Sequence, residues 1–331
     1  MIPLSKLMVV LLAGVLAMPA GFQEDIRQRI RTTSELVVVP VTVMDQRGNF
    51  VLDIRREEFR ILEDEVEQQI ELFSTDPFPL SAVVLIDNAL QPQPAERVQQ
   101  SLGAIAGGFG PSDEVMPCLF ETFVEPLSDF VSDNDQLYTK LRAVDLSAEL
   151  PGLRAGPLTA TPRVTTAPSA GRPMPRSSTG RRAKSILDAV HFAAEALEKR
   201  PRDYRKIVLV ISDGSSSGSG AYRFDVVRAR LLAADVTVYA VGVSKAVVGR
   251  SGSVLARLAY ETGGDTFYAS DRAGLESYYT RVAEQARNQY TLAYIPRRTD
   301  RSRTYHSLDV RVRRPDLVVV ARQGYFVTAA P

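Results

Sequence analysis

A doubly wound, mostly parallel α/β sheet with an accessory β module built from the two flanks is what this sequence predicts, and three observations lead there. Two apolar runs of strand length, Ala82–Asp87 and Ile207–Asp213, each end in an aspartate. Their unbroken apolarity is that of strands covered on both faces. From Leu80 to Gln289, strand-length and helix-length segments alternate, the pattern of an α/β sheet. Outside those limits the pattern on both sides turns to short β runs.

The chain opens with Lys6, an apolar run Leu7–Leu16, and small residues at Val15 and Ala17 suited to a secretory cleavage site. Residues 1–20 therefore read as a signal peptide. The run is short for a bilayer span, and no cysteine follows it for a lipid anchor. A buried core helix is the competing reading. Export is the expectation, to the periplasm or beyond, with no transmembrane anchor after cleavage.

After a charged stretch, Leu36–Met44 reads as a strand and Asp45–Gly48 as a turn, with Asn49–Leu52 continuing the hairpin. Phe59–Leu62 and Gln69–Phe73 flank the acidic turn Glu63–Glu65. Residues 34–78 form this N-terminal β segment. In the α/β region, 80–289, strands are expected at 82–86, 115–120, 122–127, 207–212, 237–243 and 266–268. Helices are expected at 95–109, 134–144, 184–199, 224–234, 253–262 and 272–288. The pair 115–120 and 122–127 has the look of a hairpin carrying a single antiparallel edge strand. Residues 151–182, rich in Pro, Gly, Ser, Thr and Arg, cannot bury enough surface to offset their ordering entropy and read as a mobile insertion. It feeds into the crevice, although a solvated linker fits the same composition. Residues 290–328 return to β runs at 290–296, 307–312, 317–321 and 324–326. Neither flank is large enough to stand alone, so the two are expected to pair.

In a parallel sheet the carboxyl ends of the strands form the ligand crevice, and Asp87 and Asp213 both fall there. With the Asp-Gly at Asp213-Gly214, the chain resembles a von Willebrand factor A domain. That resemblance implies a metal-ion-dependent adhesion site of pattern Asp-x-Ser-x-Ser, a threonine from a second loop, and an Asp-Gly after a later strand. Here Ala89 and Gln91 stand at the two serine positions, and Lys184 falls at the threonine when Ala183–Ala189 is matched to Gly-Thr-Ala-Leu-x-Asp-Ala. Mg²⁺ prefers hard oxygen ligands in near-octahedral array, so a degenerate site is expected. No cofactor is assigned, Mg²⁺ is disfavoured, and Asp87 and Asp213 are the residual metal candidates. If Lys184 reaches the crevice, its ammonium would neutralise both carboxylates.

The flanks carry a second resemblance, to von Willebrand A-related proteins of Acidobacteria. Glu58-Phe59, Glu63-Asp64, Gln69-Ile70 and Phe73 match the N-terminal segment, with Glu65 where a glycine is usual. Tyr290, Leu292, Tyr294, Pro296, Val310, Val312, Arg322, Gly324 and Tyr325 match the C-terminal tail.

Composition narrows the function. The chain has 331 residues, 45% of them hydrophobic, enough for a sizeable core. Its 40 basic and 39 acidic residues leave no global field to attract nucleic acid or an anionic membrane. Cys118 is the single cysteine, so no internal disulfide forms, and a small buried hydrophobe is its simplest role. Gly214–Gly218 matches Gly-x-Ser-x-Gly, which raises a serine hydrolase built on Ser216 with His306. No Gly-rich oxyanion segment accompanies it. His191 reads as a helix-face residue and His306 as a strand-end surface residue; Tyr278 and Tyr279 read as helix packing. A basic cluster, Arg172, Arg176, Arg181 and Arg182 with Lys184, suits an acidic partner or simple solvation.

The expected function is protein–protein or adhesive binding to a protein or cell-surface ligand, without catalysis. The crevice candidates are Asp87, Asn88, Gln91, Lys184, Ser185, Asp213 and Ser215. A scaffold subunit of an envelope complex and a Ser216 hydrolase are the alternatives.

Overall fold

The computed structural model describes residues 36–146, 184–216, 220–243, 253–297 and 304–327. The leader and the 151–182 insertion lie outside them. Among the described residues, no helix is long and apolar enough to cross a membrane.

Strand β5 (Leu80–Asp87) is buried at every position, and its alternation organises the α/β core. Leu80, Ala82, Val84 and Ile86 face one apolar layer, Val83 and Leu85 the other. Successive side chains on a strand point to opposite faces, so an unbroken apolar run needs a cover on each side. The first layer holds residues of α1 (Pro92–Ser101), α2 (Gly103–Gly108), α3 (Asn134–Arg142) and α7 (Arg272–Arg287). The second holds residues of α4 (Ile186–Glu198), α5 (Phe224–Ala233) and α6 (Val254–Thr262). The predicted helix over 95–109 is divided at Leu102 into α1 and α2.

Around β5 the six-stranded sheet runs β10-β9-β8-β5-β6-β7, with β6 Glu114–Phe120, β7 Val124–Pro126, β8 Arg205–Ser212, β9 Val236–Gly242 and β10 Thr266–Tyr268. All pairs are parallel except β6 with β7, so β7 is the antiparallel edge. The chain leaves β5 toward β6 on one side, then crosses back to β8 on the other. This reversal makes a switch point at the carboxyl ends of β5 and β8, where α/β sheets open their binding crevice.

The flanks form two four-stranded sheets, β13-β1-β11-β4 and β14-β12-β2-β3. The first contains β1 (Val37–Met44), β4 (Ile70–Ser74), β11 (Tyr290–Tyr294) and β13 (Val318–Ala321); the second contains β2 (Phe59–Glu63), β3 (Val66–Gln68), β12 (Tyr305–Val312) and β14 (Gly324–Phe326). Strand β1 pairs with β11 and β13, and β2 with β12, so each sheet draws on both flanks. Their shared core includes Val39, Val41, Ile61, Tyr290, Leu292 and Tyr294.

Three sequence expectations are corrected here. Asn49–Leu52 is not a strand; Phe50 makes one bridge to Met44, and the Tyr290 hydroxyl donates to Val51 O and accepts from Ile54 N, both at 2.9 Å. The hairpin partner of β2 is β3, while Ile70–Ser74 leaves for the other sheet and pairs with β11. His306 is 3% exposed rather than superficial: its Nδ1 lies 2.7 Å from Asp64 Oδ2, beside the Tyr325 ring.

Arginines join the β module to the α/β layer. Arg205, 8% exposed, donates to Ala286 O and Gln289 Oε1 at 2.8 Å and to Thr291 Oγ1 at 3.1 Å. Arg322 reaches Asp235 Oδ1 at 2.7 Å and Val38 O at 2.6 Å. The close seam also needs a glycine: Gly263 takes φ 78°, and a Cβ there would lie 2.5 Å from Arg322 N.

Candidate functional site

Asp87 closes β5 and Asp213 follows β8, so neighbouring parallel strands deliver both carboxylates to one edge. Lys184 arrives from the segment before α4. Its Nζ donates to Asp87 Oδ2 and, at 2.7 Å, to Asp213 Oδ1. The side chains of Lys184 and Asp87 are 4% and 0% exposed and that of Asp213 is 15% exposed.

Other donors complete the site. Asp87 accepts from Ala89 N–H at 2.9 Å and from the Ser212 hydroxyl at 2.6 Å. Asp213 accepts from the Ser215 N–H at 2.8 Å and its hydroxyl at 2.7 Å. Gly214 takes φ 74°, a conformation open to glycine at little cost, and its N–H reaches Ser212 Oγ at 3.1 Å. Burial pushes the Asp87 carboxyl up from its ordinary range, against the pull of Lys184, Ser212 and Ala89. Burial acts the same way at Asp213, but the Lys184 ammonium and the Ser215 donors outweigh it and hold that carboxyl below its ordinary range.

The remaining candidates take other positions. Asn88 is buried and its N–H donates to Phe120 O at 2.9 Å. Ser185 caps α4, its hydroxyl accepting from Asp188 N–H at 3.2 Å, so it is a helix-start residue. Gln91 is exposed at the start of α1. Ser216 donates to Lys184 O at 3.2 Å. Among the described residues, neither histidine bonds to it: His191 stacks on Tyr222 at 3.6 Å between centroids, and His306 is held by Asp64. Burial raises the Cys118 thiol to about 12, which leaves it a packing residue.

Sequence reasoning missed three contributors. Ser212 is fully buried against Asp87; its position directly before Asp213 was the available signal. Asp188 accepts from the N–H groups of Ala221 and Tyr222, each at 3.0 Å, and so ties the loop after β8 to α4. Phe123, 64% exposed, lies in the β6–β7 turn. That turn borders the site, because Glu121 O accepts from Ser185 N–H and Glu121 N–H donates to Phe123 O.

A divalent cation does not fit this donor set. Ala89 has no side-chain oxygen, Gln91 is exposed at a helix start, and the ammonium already bridges the two carboxylates.

Residues 172–281 match the family model of the von Willebrand factor type A domain. Similar solved structures include an aerotolerance-related membrane protein from Bacteroides fragilis NCTC 9343, at 12% identity over 62% of this chain and 99% of that one, TM-score 0.43. Proximal thread matrix protein 1 from the mussel byssus is similar at 16% identity over 65% and 49%, TM-score 0.45. A von Willebrand factor type A protein from Catenulispora acidiphila is similar at 8% identity over 77% and 51%, TM-score 0.46. No curated protein matches. The family match and the mostly parallel sheet, with helices on both faces, agree: this chain carries a von Willebrand factor type A domain, with β-sheets on its flanks.

Proposed function

We propose that this is an exported bacterial protein that binds a partner protein or cell-surface ligand at the carboxyl edge of its central sheet, without a metal ion. The carrying observation is the exposed Phe123 beside the Lys184–Asp87–Asp213 floor. An exposed aromatic costs little to order and buries much area, which suits it to anchor a contact. Tyr222, 39% exposed, is held on the same side by Asp188. Domains of this type commonly mediate protein–protein contacts, which supports the class of partner. The leader-like residues 1–20 support export.

The experiment is affinity capture from envelope extract in the presence of EDTA, with the Phe123→Ala chain as control. The expected result is a partner retained in EDTA and lost on Phe123→Ala. A partner released by EDTA, or captured equally by both chains, refutes the reading.

A further inference from the structure

We propose that Lys184 is a tethered cation: its ammonium does the bridging that a divalent ion would do between Asp87 and Asp213, and it permanently joins the loops of the crevice edge. The proposal deepens the binding function above by naming what organises the edge, and its test needs no partner.

Three chain segments meet on this one side chain. Asp87 comes from the end of β5, Asp213 from the end of β8, and the lysine from the approach to α4. The Lys184 carbonyl adds a fourth tie, accepting from the Ser216 hydroxyl at 3.2 Å. Lysine suits the task because its ammonium is a compact charge with three donors on a flexible stem. The hydroxyls of Ser212 and Ser215 also turn toward the carboxylates rather than toward a shared centre. The carboxylate oxygens are thereby directed to protein donors.

The physical difference from a bound ion is dissociation. A free ion fills its site according to its concentration, and chelation empties it. A side chain fixed to the same fold is present at high effective concentration and cannot be diluted away. The edge is therefore organised at any divalent-ion level. An acidic ligand also finds no open coordination position on the cation, since the Lys184 side chain is 4% exposed. Recognition then proceeds through direct contacts with the rim.

The test uses the intact chain and Mg²⁺ or Mn²⁺ as the chloride. Isothermal calorimetry with either ion at up to about 1 mM should give no binding heat. The melting temperature in EDTA should stay within about 1 °C of that in excess Mg²⁺. Binding by the unaltered chain, or a larger shift, overturns the proposal. Hydrogen exchange then tests the lock: in Lys184→Met, amides of residues 87–91 and 213–216 should exchange at least about tenfold faster than in the parent. Equal protection overturns it. Finally, the triple variant Ala89→Ser, Gln91→Ser, Lys184→Thr should acquire Mn²⁺ binding and a melting temperature that rises with Mn²⁺. A triple variant that keeps the parent circular dichroism yet binds no ion overturns the equivalence of ammonium and metal.

Discussion

Replacing Lys184 by methionine keeps most of the side chain's volume and removes its charge. Asp87 is then left fully buried, and Asp213 loses the 2.7 Å donor that helps hold its carboxyl ionised. Removing one partner of a buried ion pair costs about 3–5 kcal/mol. The loss here has a natural ceiling, because Asp87 takes up a proton rather than remain charged and unpaired. Protonating a carboxyl of ordinary value at pH 7 costs roughly 4 kcal/mol, at about 1.4 kcal/mol per unit, and because burial already holds the parent Asp87 above that value the loss stays below this ceiling. A loss near that ceiling would lower the melting temperature by roughly 8 °C in a unit of this size. In the variant the folded carboxyl titrates higher than the unfolded one, so the variant gains relative stability as pH falls. The gap from the parent should therefore be smaller at pH 5 than at pH 7. Urea melts at pH 7 and pH 5 measure both gaps. Adding Asp87→Asn should recover most of the loss, since the carboxylate charge is gone, the amide oxygen keeps an acceptor for Ala89 N–H, and the Ser212 hydroxyl turns to accept from the amide NH2. A gap below about 1 kcal/mol at pH 7, or a double variant no better than the single, would refute the reasoning.

The Asp64 carboxyl lies below its ordinary value: burial works against ionisation, but donors from Ser307 and His306 outweigh it. Its contribution is complete above the unfolded value and is lost as pH falls through the lowered one, so Asp64→Asn should lose less stability than the parent between about pH 4 and pH 3. Asparagine also tolerates the φ of 46° at this position. Gly264→Ala should fail to yield soluble protein on expression or lose more than about 3 kcal/mol in urea melts, because its Cβ would meet Val238 O at 1.9 Å. In Gly220→Ala the Cβ would meet Ser185 Oγ at 2.2 Å and Asp188 Oδ1 at 2.8 Å. Limited proteolysis should then cut within residues 213–222 while the melting temperature changes little. Arg205→Met strands the acceptors of Ala286, Gln289 and Thr291 and should cost about 2–4 kcal/mol by urea denaturation.

Much of the sheet was legible in local pattern. A strand covered on both faces must be apolar at every position, so Ala82–Ile86 and Ile207–Ile211 announced themselves, and the end of each run placed an aspartate on the crevice edge. The spacing around Leu187-Asp188 brought Lys184 to that edge as well. Residues 59–74 were less legible, because where a continuous β run changes sheets depends on which strand lies beside it, and β11 and β12 come more than two hundred residues later. His306 read as superficial because its cover comes from distant segments, Asp64 in the β2–β3 turn and Tyr325 on β14. The same holds for the inward turn of Ser212 and the exposure of Phe123. Periodicity reports which face of an element is apolar; it carries no information on which distant segment meets that face, and long-range packing settles that.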